Sequence, residues 1–483
     1  MADIIKIEKI DEVYLKVHCD PSVGYELNDY FSFKVPGASF IPAVRAKSWD
    51  GIIRLYSVLT GYIYVGLLPY IESFCKQREY EIEYLSDFSP DEYSLHEARE
   101  FVKSLNVPDI IKERDYQIEA FTYAIRARRM LMLSPTASGK SFIIYLITQY
   151  YKRKTLIIVP YTSLVSQLYK DFIDYGFDSK SNVHMIYSGA DKVSDKQIIV
   201  STWQSIYKMP KSYFDQFDVI IGDEAHLFKA KSLTSIMKKL SSTQYRFGLT
   251  GTLDGSQTHK LVLEGLFGAV RKIISTKELM DQGYLAQLTI KCIVLNYPDE
   301  VRKLIAKMDY QTELDYIVRC QARNRFIKNL AISLEGNTLL LFQFVEKHGE
   351  VLHKMIKEET NRPVYYVSGK TEVEDREYIR QIVEKKEDAI IIASSVFTTG
   401  INMKNLHNVI FSSPSKAKIK TLQSIGRSLR TTEHKTEATL YDIADNFTWK
   451  SKHNYTILHF MERVKIYLNE EFKYKIYNVK INN

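Results

Sequence analysis

Residues 130–147, Met130-Leu-Met-Leu-Ser-Pro-Thr-Ala-Ser-Gly-Lys-Ser-Phe-Ile-Ile-Tyr-Leu-Ile147, decide how this chain is read. Met130–Leu133 is apolar at every position, the mark of a strand covered on both faces. From Ser141 onward the pattern is helical. The loop between them brings backbone N–H groups and a helix N-terminus to face one point, which suits a phosphate. Pro135, Thr136, Ala137, Ser138 and Gly139 form the cradle. Lys140 is placed to reach the β- and γ-phosphates of ATP, and Ser141 to ligate Mg²⁺. Such loops usually open on glycine. Here Ser134 stands there, so strand–loop–helix context identifies the site rather than strict spacing.

Outward from this loop, apolar runs alternate with longer amphipathic segments. The runs are Thr155–Val159, Gln197–Val200, Asp218–Ile221 and Arg246–Leu249, and after residue 285 Thr338–Phe342, Val364–Val367, Ala389–Ala393, Val409–Phe411 and Ala438–Tyr441. Helices between fully apolar strands predict parallel sheets covered on both faces, hence two successive α/β domains. Asp223-Glu224-Ala225-His226 closes the run ending at Ile221, where open α/β sheets bind ligands. Asp223 suits an outer Mg²⁺ contact, and Glu224 suits orienting and deprotonating an attacking water, with His226 beside them in the catalytic set. Leu249-Thr-Gly-Thr252 follows the next run and reads equally as a nucleotide sensor or a polar turn. Far downstream, Gln423-x-x-Gly426-Arg427-x-x-Arg430 puts two guanidinium groups on one side of a helix. Arginines so placed stabilise a transferred phosphoryl group by about 10³–10⁵ in rate. A solvated basic face is the alternative. Together, the phosphate loop and the arginine pair imply two lobes closing on one ATP.

The chain has 483 residues, too many for one core. Hydrophobic residues make up 45% and charged residues 26%, as in globular domains, and no apolar run is long enough to span a bilayer. The N-terminus lacks the layout of a signal peptide. Cys19, Cys75, Cys292 and Cys320 lie far apart, which argues against a zinc site or disulfide framework and fits a reducing cytoplasm. A net charge of +8 permits a polyanionic partner without demanding one.

Residues 1–90 read as a small α+β module. Val13–Val17, Phe31–Val35 and Ile52–Tyr56 have strand character, Pro36-Gly37 and Trp49-Asp-Gly51 mark turns, and 66–78 fit a helix. Ser86–Glu92 reads as a linker. Lys47, Trp49 and Arg54 suit a duplex or junction contact, but burial statistics favour Trp49 as core. Domain 1 is expected over 91–282, domain 2 over 283–450, and a short helical extension over 451–483. The Lys and Tyr residues of that tail fit DNA contact or a solvated helix face.

The order of motifs resembles superfamily 2 helicases. Arg114-Asp-Tyr-Gln117 is similar to their adenine-reading motif. Segments similar to their nucleic-acid motifs follow: Pro160, Tyr161 and Thr162; Ser188 and Gly189; Thr202, Trp203 and Gln204; Gln343 and Phe344; Ser368 and Gly369 with Lys370. Thr399-Gly400-Ile401-Asn402 resembles a later motif in which Thr399 meets the strand and Gly400 and Asn402 the nucleotide; many relatives carry Asp where Asn402 stands. Phe33–Gly37, Phe40-x-Pro42, Trp49-Asp50-Gly51 and Gly66-Leu-Leu68 resemble the N-terminal module of phage UvsW-type helicases. The resemblance implies tandem RecA-like domains and a monomeric ATP-dependent 3′→5′ helicase. Its substrates would be branched, single- or double-stranded DNA and RNA–DNA hybrids: reversed forks, Holliday junctions and R-loops in replication and recombination. A duplex translocase without strand separation, an RNA helicase and an inactive scaffold stand as alternatives. Intact Lys140, Asp223, Glu224, Arg427 and Arg430 argue against the last.

Overall fold

The computed structural model of the protein describes residues 4–187, 189–253, 257–369, 371–394, 405–414 and 437–481. They form two compact units, one running to Ser134 and from Gly139 to Ile274, the other from Ser275 onward with Pro135–Ser138.

The first unit opens with strands β1 (Ile4–Lys9), β2 (Tyr14–His18), β3 (Ser32–Lys34), β4 (Ile52–Arg54), β5 (Tyr62–Tyr64) and β6 (Glu81–Tyr84). One sheet has the order β5-β2-β1-β6, and β3 pairs with β4 in a separate antiparallel ribbon. Between β1 and β2 the Asp11 carboxylate accepts the N–H groups of Val13 and Tyr14, at 2.7 and 2.8 Å. Alternation then buries Ile5, Ile7, Leu15 and Val17 on one face. The expected strands appear as β2, β3 and β4, and the expected helix as Leu68–Arg78. This module is no loose appendage. Ile63, Leu67 and Phe74 share one apolar cluster with Phe228, Leu263 and Phe267 of the domain that follows. Tyr70 donates to Glu264 at 2.7 Å, and Arg129 donates to the Glu12 carbonyl and carboxylate, both at 3.0 Å. A Cβ on Gly66 would lie 1.9 Å from the Glu264 carbonyl oxygen, so the seam needs glycine there.

The next strands are β7 (Arg129–Leu133), β8 (Thr155–Val159), β9 (Val183–Ile186), β10 (Ile198–Thr202), β11 (Val219–Asp223), β12 (Tyr245–Thr250) and β13 (Val270–Lys272). They build a parallel sheet in the order β13-β7-β12-β11-β8-β10-β9. Every residue of β8 and β10 is buried, as the unbroken apolar runs predict. Because β12 lies between β7 and β11, the loops leaving these three strands converge at one carboxyl edge.

The second unit holds β14 (Gln287–Asn296), β15 (Thr338–Phe342), β16 (Val364–Val367), β17 (Ile390–Ser394), β18 (Asn408–Phe411), β19 (Glu437–Asn446) and β20 (Lys473–Lys480). Its parallel sheet runs β16-β17-β15-β18-β19-β14-β20. The tail forms the expected helix, Tyr455–Asn469, and then adds β20 to the sheet edge beside β14. That strand escapes the sequence pattern because it is largely exposed and carries Lys and Tyr rather than an apolar run. Buried ion pairs Arg323–Asp445 and Arg463–Asp442, both 2.8 Å, pin the flanking helices to β19.

Candidate nucleotide site and strand-contact loops

The phosphate loop leaves β7 and enters the helix Lys140–Tyr151. Gly139 has φ of 77° and Ala137 φ of 66°, a left-handed pair of backbone units. Alanine tolerates that region poorly, and strain of this kind gathers at ligand sites. A Cβ on Gly139 would lie 2.2 Å from Gln117 Nε2. Gln117 is buried: its Oε1 accepts the Arg114 N–H at 3.0 Å, and its Nε2 donates to the Gly139 carbonyl at 3.5 Å. The segment expected to read adenine and the candidate phosphate loop are thereby joined. Lys140 Nζ donates to the Ser134 carbonyl at 3.4 Å, and Ser138 Oγ to the Pro135 carbonyl at 2.7 Å. Ser141 Oγ lies 2.8 Å from the Tyr175 hydroxyl. Burial pushes that phenol up to about 12, so it stays a neutral hydrogen-bonding group.

Asp223 ends β11, and its carboxylate accepts the Glu224 N–H at 2.9 Å. Burial raises its carboxyl above the ordinary aspartate value, the Glu224 charge adds to this, and the Lys140 ammonium pulls it back. Two neighbouring carboxylates with one ammonium gain from a divalent cation. Hard oxygen donors at Ser141 and Asp223 fit Mg²⁺ in kind. Glu224 adopts φ of 51°, again left-handed without glycine. His226, buried, places Nδ1 3.3 Å from Glu224 Oε2 and 2.9 Å from Thr250 Oγ1. The Thr250 hydroxyl has one proton and donates it to the Thr252 carbonyl at 3.0 Å. It therefore accepts from His226, whose Nδ1 carries a proton. So the histidine bridges the acidic motif to the Thr250–Thr252 turn. Gly222 clears space for the rings of Phe228 and Phe267, 2.7 and 2.8 Å from a notional Cβ, rather than for a ligand.

The segments of the first unit expected to contact a strand leave the same sheet edge. Pro160 is buried after β8, while Tyr161 and Thr162 are exposed at the start of the helix Thr162–Asp174. Thr202 ends β10 with its hydroxyl 2.9 Å from that of Ser205; Trp203 packs on the core and Gln204 is exposed. Gly189 is exposed with φ of 82° after β9. In the second unit, Gln343 is exposed and Phe344 half-buried after β15, and Ser368 is buried and Gly369 exposed after β16. The Gln343 N–H donates to Ser413 Oγ at 3.1 Å, which also meets His348 Nδ1 at 3.2 Å. Ser188, Lys370, Thr399, Gly400, Asn402, Gln423, Arg427 and Arg430 lie outside the described residues. Tyr175, Ser413 and His348 escape a reading of the sequence; none belongs to a local pattern that marks it. Among the described residues no cluster of His, Cys, Asp and Glu is arranged to hold a metal unaided, and no helix is long and apolar enough to cross a membrane.

Comparison with known proteins agrees with this layout. Residues 4–85 match the family "DNA helicase UvsW, N-terminal", residues 110–255 "Type III restriction enzyme, res subunit", and residues 322–432 "Helicase conserved C-terminal domain". The chain is 35% identical over 505 aligned positions to the ATP-dependent DNA helicase uvsW of Enterobacteria phage T4, covering 99% of this chain and all of that one. The crystal structure of T4 UvsW matches with a TM-score of 0.52 and 33% identity over the whole of both chains. The DNA 3′-5′ translocase XPB2 of Sulfurisphaera tokodaii is 24% identical, over 87% of this chain and 96% of its own.

Proposed function

The chain belongs to the UvsW family of superfamily 2 ATP-dependent DNA helicases, and we propose that it remodels branched DNA: reversing forks, migrating Holliday junctions and removing R-loops. The observation that carries this reading is that the likeness runs end to end, N-terminal module included, rather than through the motor domains alone.

In this account residues 91–282 and 283–450 are the two motor lobes, with 1–90 as the substrate module and 451–483 as the extension. Gln117 and Arg114 hold the adenine. Pro135–Gly139 cradle the phosphates, and Lys140 neutralises the β- and γ-oxygens. Ser141 and Asp223 hold Mg²⁺, which when bound supplies charge neutralisation on the phosphates. Glu224 accepts a proton from the attacking water, and His226 holds Glu224 and carries its state to Thr250. Gln423, Arg427 and Arg430 complete the site from the second lobe, with Gly400 and Asn402. The strand backbone lies on Pro160, Tyr161, Thr162, Ser188, Gly189, Thr202, Trp203, Gln204, Gln343, Phe344, Ser368, Gly369 and Thr399. These hydroxyl, amide and backbone groups suit phosphate oxygens and read little sequence. ATP-driven closure and reopening ratchet the strand 3′→5′. Similarity to a relative named a 3′-5′ translocase supports that direction, and also a second reading, movement on duplex without strand separation.

The test is ATP hydrolysis and strand separation on forks, Holliday junctions, R-loops and plain duplex. Branched substrates should lead, and Lys140→Ala should abolish both activities. Equal activity on plain duplex sinks branch specificity; translocation without unwinding of any fork selects the second reading.

A further inference from the structure

Ser141 stands in the first turn of the helix Lys140–Tyr151, and Tyr145, four positions on, lies on the same helix face. Against this face sits Tyr175, the residue that closes the helix Thr162–Asp174. Its backbone N–H donates to the Asp171 carbonyl at 3.0 Å. Its ring centre is 5.2 Å from that of Tyr145 and meets Phe142 edge-on at 5.3 Å. Backbone and ring are therefore held by packing, independently of Ser141. The hydroxyl is delivered to Ser141 Oγ, 2.8 Å away.

Packing has no use for that oxygen. Phe142, Phe172 and Phe177 belong to the same apolar cluster, so plain phenyl rings fill this part of the core. A buried phenol needs a hydrogen-bond partner. Among the described residues, the partner of Tyr175 is the serine hydroxyl rather than a backbone carbonyl. A serine hydroxyl has one proton and two lone pairs, and it rotates to suit its surroundings. A cation needs one of those lone pairs aimed at it. A proton given by a fixed phenol to one lone pair halts the rotation and leaves the other for the metal.

We propose that Tyr175 is a positioning residue of the nucleotide site: its phenol holds the Ser141 hydroxyl in the orientation that ligates Mg²⁺. The inference rests on the reading of Ser141 as a ligand of that cation, and assigns the group that aims it.

Mn²⁺ binding to the full chain carrying a non-hydrolysable ATP analogue should be followed by the spin-resonance signal of the free ion, beside the affinity of a fluorescent ATP analogue in EDTA. Tyr175→Phe keeps the ring and removes one oxygen. Mn²⁺ affinity should fall about 10- to 100-fold, the loss usual for a group that orients a metal ligand. Nucleotide affinity in EDTA should stay at the parent value, and the Mg²⁺ needed for half-maximal ATP hydrolysis should rise in step. Ser141→Ala should weaken Mn²⁺ binding by itself, and adding Tyr175→Phe to it should weaken it no further. If Ser141→Ala leaves Mn²⁺ affinity unchanged, the metal reading of Ser141 fails and this one falls with it. If Ser141→Ala weakens the ion and Tyr175→Phe does not, the positioning role alone is overturned. It is overturned equally if Tyr175→Phe weakens nucleotide binding in EDTA, or acts as strongly on Ser141→Ala as on the parent, since its effect then does not pass through the serine.

Discussion

Replacing Thr250 with valine removes one oxygen and keeps the shape of a fully buried β-branched side chain. That oxygen lies 2.9 Å from His226 Nδ1 and 3.0 Å from the Thr252 carbonyl. Without it, a buried carbonyl is deprived of a donor and a buried imidazole N–H of an acceptor. Each orphaned group costs about 1–3 kcal/mol. The Glu224 carboxylate, 3.3 Å from the same nitrogen, retains part of the imidazole's pairing. The summed expectation is therefore about 2–4 kcal/mol. The groups proposed to bind and hydrolyse ATP are untouched; the link from Glu224 to the 250–252 turn is not. Hydrolysis at saturating DNA should largely survive, while fork unwinding per ATP falls at least about tenfold, equivalent to about 1.4 kcal/mol. Parallel ATPase and unwinding assays read this split, and a double-mutant cycle with His226→Ala isolates the bridge, with a coupling of about 0.5–3 kcal/mol for groups that touch. A proportional fall in both activities, or strict additivity in the cycle, would refute the reasoning.

Further outcomes follow from packing and charge. Gly139→Ala forces a Cβ to 2.2 Å from Gln117 Nε2 at a φ of 77°. A left-handed alanine costs about 1–2 kcal/mol before that clash, so binding of a fluorescent ATP analogue should weaken tenfold or so; unchanged affinity speaks against the cradle. Gly66→Ala drives a Cβ to 1.9 Å from the Glu264 carbonyl oxygen. Overpacking there should cost about 1–3 kcal/mol in urea unfolding, and no loss would mean the module does not share the domain's core. Burial, aided by Arg323, lowers His348 to about 3. Since the unfolded chain binds the proton first, stability is full above the ordinary value of 6.5 and is lost as pH falls towards 3. The loss is about 2 kcal/mol by pH 5. His348→Gln should flatten that slope in acid unfolding, and an unchanged slope places the acid sensitivity elsewhere.

Much of the motor is legible in the sequence because its signals are local. β7, β8, β10, β11 and β12 are short apolar runs bounded by polar loops, and β15 through β19 repeat the pattern. β9, β13, β14 and β20 carry no such signal. The first two are short edge elements, the early part of β14 alternates between exposed and buried, and β20 is an exposed edge of Lys and Tyr. In the N-terminal module the reading of Trp49 as structural agrees with its indole, pinned to the Ile52 carbonyl, whereas nothing in the sequence shows that the ring of Phe40 stands exposed.

What the sequence determined by itself was local and carried on consecutive residues: a candidate phosphate cradle between a strand and a helix, and an acidic pair after a strand. Adjacency in the chain already fixes adjacency in space for such groups, whatever surrounds them. The tertiary structure alone decided which distant groups meet. Ser141 meets Tyr175, Gln117 meets Gly139, His226 meets Thr250, and Tyr70 reaches Glu264 across 194 positions. Those meetings depend on strand order and on how β12 is inserted between β7 and β11. That order follows from burying the whole apolar surface at once, which no single stretch of sequence encodes.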